Sequence, residues 1–113
     1  MKKWELFEEY IVSLLKKIDP YCKRTPGSGN KGRKGDIYNS VGLHIEAKQR
    51  NTESCKIDIN HWKKLNAEIP LHSDKLAVLA LENKTGEKFV VLDLDDFLEL
   101  YTNWYDLNFN GNH

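Results

Sequence analysis

The chain has few cysteines, few prolines, no net charge and no long apolar run, and each shortage excludes something. Its two cysteines, Cys22 and Cys55, form no CxxC pair, and two are too few for the disulfide framework of a small secreted domain. A zinc site combining them with His44, His61 and His72 has no recognisable ligand spacing, so scattered ordinary residues are the simpler reading. The strongest apolar stretch, Leu76 to Leu81, falls well short of the ~20 residues that cross a bilayer. The opening residues, Met-Lys-Lys-Trp-Glu-Leu-Phe-Glu-Glu, contain no apolar signal core, and a cytoplasmic, intracellular protein with no membrane partner is expected.

Zero net charge argues at first against a nucleic-acid partner, but the distribution reverses that. Residues 1–64 hold 14 Lys and Arg against 8 Asp and Glu, whereas residues 65–113 hold 3 against 9. Lys23, Arg24, Lys31, Arg33 and Lys34 follow one another with no acid among them. Such a dipolar chain can grip phosphates locally, with weaker long-range steering than a uniformly basic one.

At 113 residues, 40% hydrophobic and 30% charged, the chain is expected to fold as one globular domain over 1–113. Trp4, Phe7, Tyr10, Ile11, Leu14, Leu15 and Ile18 recur at three- and four-residue spacings, which predicts a helix over 3–18 that stops at Asp19-Pro20. Residues 21–26 read as a short strand. Gly27 to Gly35 is a basic loop with four glycines, a backbone able to approach a ligand closely. Asp36-Ile37-Tyr38 and Leu43 to Arg50 read as a hairpin across the turn Asn39 to Gly42. On the second strand Leu43, Ile45 and Ala47 share one face, and His44, Glu46 and Lys48 the other. A helix over 57–69, capped by Asp58 or Asn60, presents Ile59, Trp62, Leu65 and Ile69. Strands over 75–81 and 88–92 follow, then a helix over 93–101 with acids in its first turn, and a loose tail over 103–113. The pattern predicts an α/β fold, a central mixed β-sheet flanked by helices.

The chemistry concentrates at Gly35-Asp36 and, ten residues on, Glu46-Ala47-Lys48. Glu46 and Lys48 project from one strand face because they are two apart, and the hairpin brings Asp36 beside them. Two carboxylates suit Mg²⁺, which prefers oxygen ligands and retains several waters, with Mn²⁺ as its substitute. A bound metal activates water and neutralises charge on phosphate, and a nearby lysine orients the attacking hydroxide or stabilises the transition state. The plain alternative is a solvated strand face on which Glu46 and Lys48 form a surface pair of little consequence.

These residues resemble the PD-(D/E)XK nuclease superfamily over about residues 3–82, and within it most resemble the small archaeal-type Holliday junction resolvases. The matching positions are Glu8, Arg24, Gly27-Ser28, Asp36-Ile37 and Glu46-Ala47-Lys48. The resemblance implies a restriction-endonuclease-like core in which Asp36 and Glu46, with Glu8, bind the metal. It further implies that Lys48 assists attack, that Ser28 contacts the scissile region, and that the product is a nick with 5′-phosphate and 3′-hydroxyl ends. The basic stretch Asn30 to Lys34 and the neutral total charge depart from the resolvase pattern.

Glu5, Glu8 and Glu9 compete for the helix-borne position. On a helical wheel centred near Ile11 and Ile18, Glu8 lies about 80° away, Glu5 about 140° and Glu9 about 180°, which favours Glu8. Arg24, Lys31, Arg33 and Lys34 are phosphate-contact candidates, and Gln49 stands where a strand end can reach DNA. His44 shares the face of Glu46 and is either a neighbour of the site or an ordinary sheet residue. Trp62, Tyr101 and Trp104 read as core or dimer contacts. The leading expectation is a homodimeric, structure-selective DNA endonuclease acting on branched or four-way DNA, since symmetric nicking needs paired sites. The alternatives are a repair, restriction-like or phage-type nuclease acting on flaps, ends or linear DNA, and a non-catalytic nucleic-acid-binding module.

Overall fold

The computed structural model describes residues 1–25 and 36–110. The order is α1 (Lys3–Leu15), β1 (Lys23–Arg24), β2 (Ile37–Tyr38), β3 (Leu43–Gln49), α2 (Ile59–Ala67), β4 (Leu76–Glu82), β5 (Lys88–Val91) and α3 (Leu94–Phe109). A mixed three-stranded sheet of order β3-β4-β5 forms the centre, with β3 parallel and β5 antiparallel to β4. The parallel pair requires a crossover, which α2 supplies. The fold is therefore α/β, with helices on both faces of a mixed sheet. Among the described residues no helix is long and apolar enough to cross a membrane.

Alternation along β4 divides the core in two. Ala77, Leu79 and Leu81 face α2 and enclose Leu65, which is 1% exposed, while Ala80 packs with Ile45 and Ala47 of β3 against Phe7 and Val12 of α1. Cys22 and Ile37 extend this second cluster.

Three helix boundaries and one strand pairing differ from the sequence expectation, each for a local reason. The first helix ends at Leu15, not Ile18, because the N–H groups of Lys17 and Ile18 turn back to the carbonyls of Leu14 and Leu15, a tightened last turn. Asp58 caps α2 by accepting from the Asn60 N–H at 2.9 Å, so that helix begins at Ile59 rather than residue 57.

The expected hairpin of β2 with β3 is replaced by an antiparallel pairing of β2 with β1, Arg24 opposite Ile37. Asn39 explains it. Its Oδ1 accepts from the N–H groups of Val41 and Leu43 and its Nδ2 donates to the carbonyls of Ile37 and Leu43. With Gly42 at φ +85°, a conformation glycine adopts without strain, this closes a broad turn instead of a tight hairpin.

The last helix runs to Phe109, so residues 103–109 are helical where a loose tail was expected. Its side chains stack along one another, Tyr101 on Trp104 at 5.6 Å and Tyr105 on Phe109 at 5.0 Å between ring centroids. Asn108 and Asn110 close the end through Trp104 and Asp106. Residues 111–113 lie outside the described residues.

Candidate active site

Parallel pairing with β4 satisfies one edge of β3, and Asp36 occupies the other. The Asp36 N–H donates to the Ile45 carbonyl at 2.8 Å, and Asp36 Oδ2 accepts from the Ala47 N–H at 2.8 Å. Asp36 is thus stitched to the strand on either side of Glu46. The hairpin was wrong as a ladder, yet the expectation it served, Asp36 beside the Glu46 face, holds through these two bonds.

Glu46 and Lys48 stand on the same face, with Lys48 Nζ 3.3 Å from Glu46 Oε1. The other oxygen, Glu46 Oε2, meets His61 Nε2 at 2.6 Å. His61 is a site residue that sequence reasoning considered only for zinc. The crossover geometry was the available signal: a helix returning from a parallel strand lays its first turn near that strand's end.

Glu8 reaches the site from α1. It is 4% exposed, deeper than the wheel placed it. The buried residues of α1 are Phe7, Glu8 and Val12, with Ile11 and Leu15 partly covered, while Trp4, Tyr10 and Leu14 are more than 40% exposed. The packed face is rotated toward Glu8 by roughly 40° from the apolar average, because Trp4, Tyr10 and Leu14 of the stripe remain at the surface.

Arg24 Nε donates to Glu8 Oε1 at 2.9 Å, and its other nitrogens lie 3.6 Å from Glu5 and 3.6 Å from Glu9. Its guanidinium also faces the Trp4 ring at 5.5 Å. The three helix acids that competed for one role therefore gather around one cation, and Arg24 is held by α1 rather than free toward solvent.

Trp4, Glu8, Asp36, Glu46, Lys48 and Gln49 line one open cavity of about 410 Å³, which Arg50 borders. Gln49 donates to the Arg50 carbonyl at 2.8 Å. His44 is buried and paired with Glu68 at 2.9 Å; it braces α2 against β3 and does not line this cavity. Ser28, Lys31, Arg33 and Lys34 lie outside the described residues.

The electrostatics are under tension. Burial pushes the Asp36 carboxyl above the usual aspartate range and repulsion from Glu46 adds to it, against the Ala47 hydrogen bond and Lys48. Burial likewise raises Glu8; its hydrogen bond from Arg24 opposes this, and the Asp36 charge reinforces it. Carboxylates that desolvate and repel one another are a setting in which a cation is favourable.

Asp36 and Glu46 supply the hard oxygen donors that Mg²⁺ accepts one or two at a time. Among the described residues no three His, Cys, Asp or Glu side chains form a ready-made metal cluster. Glu46 is engaged on both oxygens and Glu8 by Arg24, so the donor chemistry fits a metal once Glu46 exchanges a partner. No protein-family model matches the chain, and neither a curated protein nor a solved structure is significantly similar to it.

Proposed function

We propose that the chain is a metal-dependent, structure-selective DNA endonuclease with a restriction-endonuclease-like core, acting on branched DNA in the manner of a Holliday junction resolvase. One observation carries the reading: Glu8, Asp36, Glu46 and Lys48, picked out by pattern and resemblance, line a single cavity, with Asp36 bonded to the strand on both sides of Glu46. A plain solvated strand face does not account for a half-buried aspartate with a raised pKa, bonded to β3 on both sides of Glu46.

Asp36 and Glu46 would hold Mg²⁺, or Mn²⁺ in its place, which when bound supplies an acidified water and charge neutralisation at the phosphate. The chain's own residues do the rest. The two bonds of Asp36 to β3 would hold its carboxylate at the cavity without a search over rotamers. Lys48, no longer paired with Glu46, turns its ammonium to the attacking water or a non-bridging phosphate oxygen. His61 keeps hold of Glu46 Oε2, and Glu8 with Arg24 closes the cavity wall on the α1 side. Scission leaves 5′-phosphate and 3′-hydroxyl ends. Two copies acting together would supply the paired nicks that a four-way junction needs.

A non-catalytic binding module is the second reading, favoured by the internal satisfaction of Glu46 and by the lack of a three-donor cluster among the described residues. Cleavage of a labelled synthetic four-way junction beside a linear duplex, with and without Mg²⁺, separates the readings. The nuclease reading expects metal-dependent nicks that fall by about 10²-fold or more in Lys48→Ala, and the resolvase reading expects them paired across the branch. Metal-dependent cutting without branch preference keeps the nuclease and removes the resolvase. Binding of either DNA without any cleavage supports the module.

A further inference from the structure

The parallel strands β3 and β4 end level with each other, Gln49 opposite Glu82, and open α/β sheets take their ligands at the carboxyl ends of their strands. The candidate active site occupies only part of this edge. A second open cavity of about 310 Å³ adjoins it, lined by Lys3, Leu6, Gln49, Glu82, Asn83 and Lys84. Gln49 lines both cavities, and the first turn of α1 borders both, with Trp4 on the first and Lys3 on the second.

One wall of the second cavity is fixed by hydrogen bonds. Asn83 is buried. Its Oδ1 accepts from the N–H groups of Thr85 and Glu87, and its Nδ2 donates to the Glu53 carbonyl at 3.0 Å. The Lys84 N–H donates to the Thr52 carbonyl at 2.9 Å. The turn between β4 and β5 is thereby tied to the segment that follows β3, so the Lys84 side chain rises from a braced backbone.

Positive charge is left over along this edge. Lys3, Arg50 and Lys84 are exposed, and among the described residues none of them pairs with an acid. Glu82, the one acid among the described residues lining the second cavity, is held by Lys88 at 3.1 Å. A cation without an acid partner can take a phosphate oxygen. Two open cavities joined over one side chain suit an extended ligand, and cations spaced along that path match the repeated phosphates of a nucleic-acid strand.

We infer that a DNA strand bound at the candidate active site continues over Gln49 into the second cavity, where Lys3 and Lys84 hold a flanking phosphate. This rests on the nuclease reading and deepens it. It assigns backbone contacts to the start of α1 and to the β4–β5 turn, in addition to those expected of Lys31, Arg33 and Lys34. Such contacts fix the register of the strand without reading its bases.

Equilibrium binding of the full chain to a labelled four-way junction and to a linear duplex tests it, in EDTA so that no metal chemistry enters. Lys3→Gln and Lys84→Gln are each expected to make the slope of log K against log salt shallower by about one, and together to weaken binding roughly tenfold, with unchanged circular dichroism. Lys75→Gln, just before β4 at the opposite end of the sheet, removes the same charge and is expected to change neither. A single uncharged methylphosphonate linkage, placed in turn along one strand, then locates the contact: at one position it weakens wild type and leaves the Lys3→Gln, Lys84→Gln double variant unaffected. An equal loss for Lys75→Gln, or no such position, means diffuse charge and overturns the inference. Wild type that binds DNA while both lysine variants match it overturns the inference alone. Wild type that binds neither DNA overturns the nuclease reading with it.

Discussion

The two ends of the sheet are built from opposite materials. At the C-terminal end of β3, carboxylates and a lysine line an open cavity, with His61 behind Glu46, and each finds a partner inside the chain. At the other end, where α3 passes Ser73 to Leu76 at the start of β4, large aromatic side chains stand in water. A chain folding for stability alone would exchange them, with apolar groups inside and charge outside. Each inversion departs from what stability alone selects: charge gathered at the proposed catalytic cavity, and aromatic surface left in water along α3.

That contrast can be broken by substitution, and the largest effect belongs to the charged end. Glu46→Gln is expected to lower metal-dependent cleavage by about 10³-fold or more, with the fold intact by circular dichroism, because glutamine still reaches His61 and only its charge is gone. Unchanged cleavage would remove Glu46 from the chemistry.

Next is the core between the two ends. Leu65, fully enclosed by Ala77, Leu79 and Leu81, should cost about 2–5 kcal/mol when changed to alanine, read as a lowered denaturant midpoint. Trp104→Ala, a larger truncation at a half-exposed position, should change the stability of the chain by less than about 0.5 kcal/mol. Equal costs at the two positions would mean that α3 packs on its own chain after all.

The smallest effect concerns pH. Asp19, which accepts from the N–H groups of Ser40 and Tyr21 and joins the end of α1 to the turn before β3, has its pKa lowered chiefly by the Ser40 bond. A lowered folded-state pKa gives stability that is present above the unfolded value and lost as pH falls through the folded one. Asp19→Asn should lower the Tm at neutral pH and leave the acid end of the Tm-against-pH curve nearly unchanged, flattening the slope between them.

Much of both ends was legible in the residue pattern, for reasons of range. The alternation of β3, which puts Glu46 and Lys48 on one face, is a property of a single strand. Choosing Glu8 among three acids needed only the helix period, although the true buried face lay closer to it than the apolar average did. What escaped needed distant partners. The pairing of β2 with β1 joins residues on either side of residues 26–35. The bond from His61 to Glu46 depends on how α2 returns over the sheet. Helix α3 was expected to stop at Tyr101 before a loose tail, whereas it runs on to Phe109, with Asn108 and Asn110 bonding back to Trp104 and Asp106. Its exposed stripe has no partner within the chain to reveal it.

Asp36 holds the account together, because burial makes its charge costly while the proposed chemistry requires it. With a folded-state pKa above the unfolded one, its ionised form costs stability at neutral pH, and the cost disappears as pH falls below both values. The measurement to make is therefore a paired one on Asp36→Asn: the thermal midpoint at pH 7 and pH 4, and Mg²⁺-dependent cleavage of a four-way junction, on the same preparation. The account predicts a higher midpoint at pH 7, a gain that shrinks at pH 4, and loss of cleavage. A lower midpoint at pH 7 together with undiminished cleavage would contradict it, making Asp36 a structural residue and the cavity something other than a catalytic centre.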